Sequence, residues 1–431
     1  MFRLRAFLIA AGVLPILIDF STFSSAAAAD VSSGAADAAD TSVFGAADTS
    51  SIAKIGRLHE ILRRAQSRWL RGEAADLYDE YTKFKQRVEE EDGLSWSMDA
   101  SYLQQWGRPD GGSPAGQVLL TPNVEWKLFS DRAIGEGSVQ FAYTATRYAT
   151  TRNGADIQNA LGLITPVNDY PESTNIFYQL TYTYAFPGNR LLVGIGQYPF
   201  ANFDYNDYLG NQQQNFNNYV FAQNGTQAYP NAGLGAFAQW NATSTLQFAA
   251  GFQNAANPSA TTLSGKGFGS DGFAWFAYAQ WTPMFGGAGT SQYSITYYEV
   301  PAIATQPRTN GWSFNALQNL DARWAVFARA NRLSGDVAPI RGSYALGGAI
   351  NDPLGRSPTD QIALSIGYSD AASPPANPPG ARNEKLAELY WNWTFAKGLL
   401  LTPDVQYIRS PALNPARDSV WVFSLRATLM F

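Results

Sequence analysis

Val420-Trp-Val-Phe-Ser-Leu-Arg-Ala-Thr-Leu-Met-Phe431 puts Trp421, Phe423, Leu425, Ala427, Leu429 and Phe431 on one face of a strand. Side chains alternate with period two, so the other face carries Ser424, Arg426 and Thr428, and an arginine there needs water rather than a packed core. One wall of such a strand meets lipid and the other meets solvent. A soluble sandwich strand can carry the same alternation, and repetition along the chain decides between the two.

Working back from that strand, the rhythm recurs as far as Gly93. Leu389, Trp391, Trp393 and Phe395 oppose Glu388, Tyr390, Asn392 and Thr394, and Ile362, Leu364, Ile366 and Tyr368 share one face. Leu246, Phe248, Ala250 and Phe252 alternate with Gln247 and Gln253, and Ile176, Tyr178, Leu180, Tyr182 and Tyr184 with Gln179, Thr181 and Thr183. At the start, Leu94, Trp96, Met98, Ala100 and Tyr102 alternate with Ser95, Ser97, Asp99 and Ser101. The stretch Phe273 to Trp281 is ambiguous because both faces carry aromatic rings. Separators such as Pro187-Gly-Asn189, Gly286-Gly287 and Ser373 to Gly380 have turn chemistry.

Residues 93 to 431 hold on the order of sixteen strands at about ten residues each plus turns and loops, and an even number is expected. The sequence therefore predicts an all-β fold, a transmembrane antiparallel β-barrel preceded by a short N-terminal helical segment. A barrel of that size encloses an aqueous channel. Tyr and Trp at the strand ends are expected to form interfacial girdles.

Composition agrees with this reading. Charged residues are 15% of the chain and aromatics 14%, too little ionic surface for a soluble domain of this length but suited to one solvated partly by lipid. The net charge of −5 gives no concentrated basic surface, so no nucleic-acid partner is expected. Without cysteine there is no disulfide, thiolate metal site or thiol nucleophile.

The amino terminus reads differently. Arg3 and Arg5, an apolar run from Ala6 to Ile18 and the small residues Ala26 to Ala29 predict a cleaved signal peptide over 1–29. That run is too short to span a bilayer. Residues 30–50 have almost no large apolar side chain and read as a disordered linker. Over 51–92 the apolar residues fall at three-four spacing, Ile55, Leu58, Leu62, Ala65 and Trp69, then Leu77, Tyr81, Phe84 and Val88, with a register break at Arg71-Gly72. This helical segment fits packing on its neighbour or on the barrel, a short coiled coil between subunits, or a cell-wall or lumen-plugging role.

The carboxyl-terminal part resembles the carbohydrate-selective outer-membrane porins of the OprB type. The residues that carry the resemblance are Phe327-Ala-Arg-Ala-Asn331 with Gly335, Gly347-Gly348, Pro353 with Arg356 and Asp360, and Glu388-Leu-Tyr390. Leu401-Thr-Pro-Asp-Val-Gln-Tyr-Ile408 with Pro411 and Leu425-Arg426 before Phe431 complete it. The resemblance is specific over about 320–431 and diffuse over 93–320. It implies a sixteen-stranded barrel through which small sugars diffuse across the outer membrane of a Gram-negative bacterium, and a terminal Phe431 read by barrel-insertion machinery. Segment 51–92 is longer and more charged than the plain family pattern, which leaves monomer and homo-oligomer open.

The inward-facing candidates for sugar contact are Arg323, Arg329, Asn331, Glu388, Tyr390, Asp404, Gln406 and Arg426, at positions alternating with lipid-facing apolar residues. Both charge signs occur, so the wall is polar yet nearly balanced and sets up little field for selecting ions. Arginine and carboxylate can bond several hydroxyls, and an aromatic face can stack on a pyranose ring. Alternatively these charges pair across the lumen and brace the wall. The stretch Asp204 to Tyr219, with Asn206, Asp207, Asn211, Gln213 and Asn215, is rich in amides and tyrosines; it reads as a long loop that narrows the channel if folded inward. No enzyme, metal or cofactor is expected: the single histidine, His59, lies outside the barrel, so no serine-histidine-aspartate triad or histidine metal cluster can be assembled in the pore.

Overall fold

A computed structural model describes residues 73–110, 112–270, 272–285, 291–304 and 306–431. The expected signal peptide, the linker and the part of the helical segment before residue 73 lie outside the described residues.

Helix α1 (Glu73–Asp92) leads into strands β1 (Leu94–Arg108), β2 (Ala115–Asp131) and β3 (Gly135–Tyr148), then helix α2 (Gly154–Leu161), β4 (Thr174–Ala185) and β5 (Leu191–Tyr198). A short helix α3 (Tyr219–Ala222) precedes β6 (Gly233–Asn241), β7 (Leu246–Asn254), β8 (Phe273–Trp281) and β9 (Gln292–Val300). Then come β10 (Thr309–Asn319), β11 (Trp324–Leu333), β12 (Ile340–Asn351) and β13 (Gln361–Ala371). The last three are β14 (Glu384–Ala396), β15 (Leu399–Arg409) and β16 (Ser419–Met430). Every strand pairs antiparallel with its sequence neighbours, and β1 closes on β16. The result is a closed sixteen-stranded barrel, as the alternation predicts.

The seam is made by the same stretch that decides the fold. β16 pairs with β1 from Asp99 opposite Met430 to Arg108 opposite Trp421. Phe431 completes it, its amide donating to Met98 O at 2.9 Å and its carbonyl accepting from Met98 N at 3.2 Å. Closure leaves no strand edge unpaired, which is what hydrocarbon demands of a spanning sheet.

The outside is apolar to a degree no soluble sandwich tolerates. Ile195 is 63% exposed and Leu346 58%, with Ile366 and Leu425 above half. Aromatic residues collect at both ends of the wall. Trp275 with Tyr297, Tyr344 with Tyr368, and Tyr407 with Trp421 lie toward the longer loops; Trp240 with Phe248, Trp281 with Tyr293, and Trp391 with Trp393 lie toward the short turns.

Two strands qualify the simple alternation. In β4 the register against β3 shifts between Ala142 and Tyr143, leaving Tyr178 as the extra residue of a bulge. Leu180, Tyr182 and Tyr184 therefore face out as expected, whereas Ile176 is turned in and buried against Ala232 and Ala260. An inserted residue inverts the faces beyond it. In β8 the two aromatic faces have different partners, with Trp275 and Trp281 outward and Phe276 and Tyr278 inward against Phe203.

Helix α1 sits on the short-turn rim. Tyr81 Oη accepts from Trp96 Nε1 at 2.9 Å, Phe84 meets the Trp96 ring edge-on at 6.0 Å, and Lys397 Nζ in the β14–β15 turn reaches Asp79 at 2.6 Å. Gly398 in that turn has φ +72°, and a Cβ there would lie 2.6 Å from the Tyr78 ring. Only glycine permits both the turn and the helix contact. Among the described residues no helix is long and apolar enough to cross a membrane, and the crossing is made by strands.

Candidate functional site: two loops clamped across the barrel interior

The β3–β4 connection opens with Asn153, whose side chain accepts from Asp156 N at 2.9 Å while Asp156 returns the bond to Asn153 N at 2.8 Å. This capping box starts α2, and Gly162 at φ 74° stops it after two turns. Ile157 and Leu161 are fully buried by it. The chain then runs inward through Leu163, Ile164 and Val167, which join an apolar cluster with Phe327 of β11, Leu386 and Tyr390 of β14, Ile408 of β15 and Val422 of β16. Glu384 fastens this segment by accepting from Ile164 N at 3.0 Å, Thr165 N at 3.1 Å and Ala412 N at 3.0 Å.

The β5–β6 connection, 199–232, enters through Phe200 and Phe203, which pack among Phe237, Phe276 and Tyr278. Beyond them the chain has almost no internal secondary structure, so its backbone groups must be satisfied by the wall. Asp204 accepts from Asn315 Nδ2 at 2.8 Å and from Asn224 Nδ2 at 2.8 Å, and also takes the Ser313 hydroxyl. Asn206 Nδ2 donates to Ala316 O at 3.0 Å. Asn211 Oδ1 accepts from Gln213 N at 2.8 Å and holds a tight turn. Gln213 Nε2 reaches β1 and β2 on the other side of the barrel, at Asp99 O, 3.0 Å, and Leu119 O, 3.1 Å. Asn215 Nδ2 closes back on Asp207 O at 2.7 Å. The amide-rich stretch thus crosses the interior from the β10–β11 wall to β1 and β2.

The strand residues that the alternation singles out meet this loop. Arg426 Nη1 donates to Asn215 O at 2.9 Å, to Asn217 Oδ1 at 2.8 Å and to Gln212 O. Arg329 donates through Nε to Asn315 Oδ1 at 2.7 Å and through Nη2 to Leu209 O. Glu388 has the complementary task, accepting from Asn217 N at 2.5 Å and Asn218 N at 3.1 Å. Gln406 takes Asn218 Nδ2 at 3.0 Å and donates to Val167 O at 2.8 Å, so one side chain ties both loops. Tyr390 Oη donates to Asn215 Oδ1 at 3.3 Å, and Asp404 faces inward opposite Tyr390. Asn331 belongs to a ladder within the wall, accepting from Ser313 Oγ at 2.7 Å and donating to Ser343 Oγ at 3.0 Å. Arg323 stands apart: it lies exposed in the β10–β11 turn and donates to Pro353 O at 3.1 Å.

Sequence reasoning missed Glu384, Gln105 and Gln117, and it missed the first loop altogether. Gln105 binds Val167 O at 3.2 Å and Asn168 at 2.6 Å, and Gln117 accepts from Gln212 at 2.5 Å. The available signal was the apolar set Ile157, Leu161, Ile164 and Val167 between two strands, which an exposed loop has no reason to carry. Among the described residues no group of His, Cys, Asp and Glu side chains could hold a metal ion.

Outside the interior, Lys85 of α1 lies 5.5 Å from both the Tyr81 and Trp96 ring centroids. Burial pushes its ammonium down to about 8, with Glu89 and Asp99 opposing the shift.

Residues 112–431 match the family model described as carbohydrate-selective porin, OprB family. The chain is 32% identical to Porin AaxA of Chlamydia abortus over 80% of its own length and 79% of that protein, and 31% identical to Porin AaxA of Chlamydia pneumoniae over 79% and 80%. The high-pH structure of Pseudomonas putida OprB superposes with a TM-score of 0.70 at 16% identity, covering 85% of this chain and 99% of that one. At that identity the superposition speaks for the fold alone.

Proposed function

The chain belongs to the carbohydrate-selective porin, OprB family, a porin barrel of the Gram-negative outer membrane, and from that premise we propose that it passes small sugars by passive diffusion. The observation that carries this reading is the chemistry of the segment clamped across the barrel. Asn206, Asn211, Gln213 and Asn215 hold that segment by neutral amide hydrogen bonds to the wall and to the loop itself, so the channel is narrowed without added charge. The charges around them, Arg329 and Arg426 against Asp204, Glu384, Glu388 and Asp404, are of both signs and mostly engaged with loop backbone and amides. A constriction held by neutral amides, with its charges engaged, offers weak sequential contacts to a neutral solute.

In this reading Arg329, Asn331, Glu388, Tyr390, Gln406 and Arg426 act on sugar chiefly by setting the position of residues 204–219, with Asp404 buried on the wall opposite Tyr390. Residues 1–29 serve as export signal, 30–50 as linker and 51–92 as a helical segment. Phe431 serves as the address for barrel-insertion machinery, and the helix governs any homo-oligomer.

Liposomes carrying the purified protein are expected to swell faster in neutral mono- or disaccharides than in amino acids of similar size. Equal rates, or a strong reversal potential in a salt gradient, would assign the barrel to general or ion-selective diffusion.

A further inference from the structure

The lipid-facing wall ends, on the loop side, in cations that no carboxylate among the described residues neutralises. On β14 the outward face runs Leu389, Ala387, Lys385, and on β15 it runs Val405, Tyr407, Arg409. Lys385 and Arg409 stand directly opposite each other across the two strands, and both are exposed. Like charges so placed repel and destabilise an antiparallel pair. Elsewhere on this rim the chain supplies counter-charges. Asp370 takes Arg332 at 2.6 Å and Arg341 at 3.0 Å, and Glu299 takes Arg308. The side chains of Lys385 and Arg409 make no hydrogen bond or ion pair with any described residue, the loop carboxylate of Asp418 included. Across β16, Arg108 at the end of β1 faces the same way opposite Trp421, and among the described residues its guanidinium reaches Gly107 O at 2.9 Å. Arg417 donates to Pro109 O beside it.

One pleat below Lys385 and Arg409 lies Tyr407, its ring 4.7 Å from that of Trp421 in the same row as Arg108, and then come Phe423 and Leu425. Charge above, aromatic belt, then aliphatic wall is the order of a lipid: headgroup, interface, chain.

We infer that Lys385, Arg409 and Arg108 form a site for the phosphate of an anionic glycolipid in the outer leaflet, whose acyl chains lie along Tyr407, Trp421 and Leu425. The phosphate accepts from two or three cations at once and converts their mutual repulsion into attraction. A free phosphate ion offers the same oxygens but no chains for the aromatic belt, and that difference separates the two sources.

The test uses the full chain, folded in neutral detergent and titrated with lipid A bearing its phosphates, with dephosphorylated lipid A, and with inorganic phosphate, bound lipid being read by native mass spectrometry. Phosphorylated lipid A is expected to stay bound, and Lys385→Gln with Arg409→Gln to weaken it about 30-fold, Lys385→Gln alone about fivefold. Arg308→Gln, whose partner is Glu299, serves as the control and leaves binding unchanged. The heat-modifiable band of the folded barrel shows in each case that the variant is native. Equal retention of the two lipid forms, or an unaffected double variant, overturns the site. Displacement of the lipid by micromolar inorganic phosphate would assign the cations to the free ion and overturn the lipid assignment.

Discussion

Arg426 and Glu388 divide between them the needs of a backbone without secondary structure. Three oxygens of the loop converge on one guanidinium nitrogen, and two amides converge on one carboxylate. Hydrogen bonds to charged groups contribute about 1.5–3 kcal/mol each, so a single residue governs where the loop lies. Arg426→Ala is expected to insert normally, to raise single-channel conductance by roughly twofold and to add current flicker as Gln212 to Asn217 come loose. Arg426→Lys keeps the charge but loses the fork, and falls between the two. Bilayer recordings check this; wild-type conductance in Arg426→Ala would show that the loop keeps its place without this residue. The alternation along β16 puts Arg426 on the inner wall. Its partners, more than two hundred residues earlier, leave no trace in the local pattern.

At the scale of elements, α1 is held by few contacts, and two of its residues make its docking measurable. Lys85 binds a proton less tightly in the docked helix, at about 8, than its ordinary 10.5 when free. The undocked state therefore holds more protons between those values, and docking strengthens as pH rises through that window. Hydrogen exchange of α1 is expected to slow from pH 8 to 10 after correction for intrinsic rates, and Lys85→Met to abolish the trend. Gly398→Val places a branched side chain on the Tyr78 ring at a positive φ, a cost of about 2 kcal/mol, enough to raise protease cleavage in α1 severalfold with the barrel intact. The helical spacing of Tyr81, Phe84 and Val88 predicts the helix itself. The rim it occupies depends on Trp96, Lys397 and Gly398, which meet only once the barrel has closed. Likewise the twin aromatic faces of β8 stay ambiguous until Phe203 arrives on one of them.

For the whole molecule the governing fact is a cylinder between two solvents. Removing residues 51–92 is expected to leave sugar flux within about twofold of the intact protein, since the described contacts of the constriction are to the barrel wall. Loss of oligomer size on gel filtration, with flux kept, would identify the segment as an assembly element. Loss of flux instead would tie it to the passage.

Strand number, most of the lipid-facing residues and the inner positions of Arg329, Glu388 and Arg426 could be read directly, because alternation is local. That determination belongs to the sequence alone. Which way Ile176 turns, where residues 149–173 and 204–219 lie, and whether a lumen arginine meets solute or loop were decided by tertiary structure. The reason is physical: Gln213 with Leu119, and Asn218 with Glu388, satisfy backbone and amide groups across the full width of the barrel, and those pairings exist only after the wall has brought its two sides within reach.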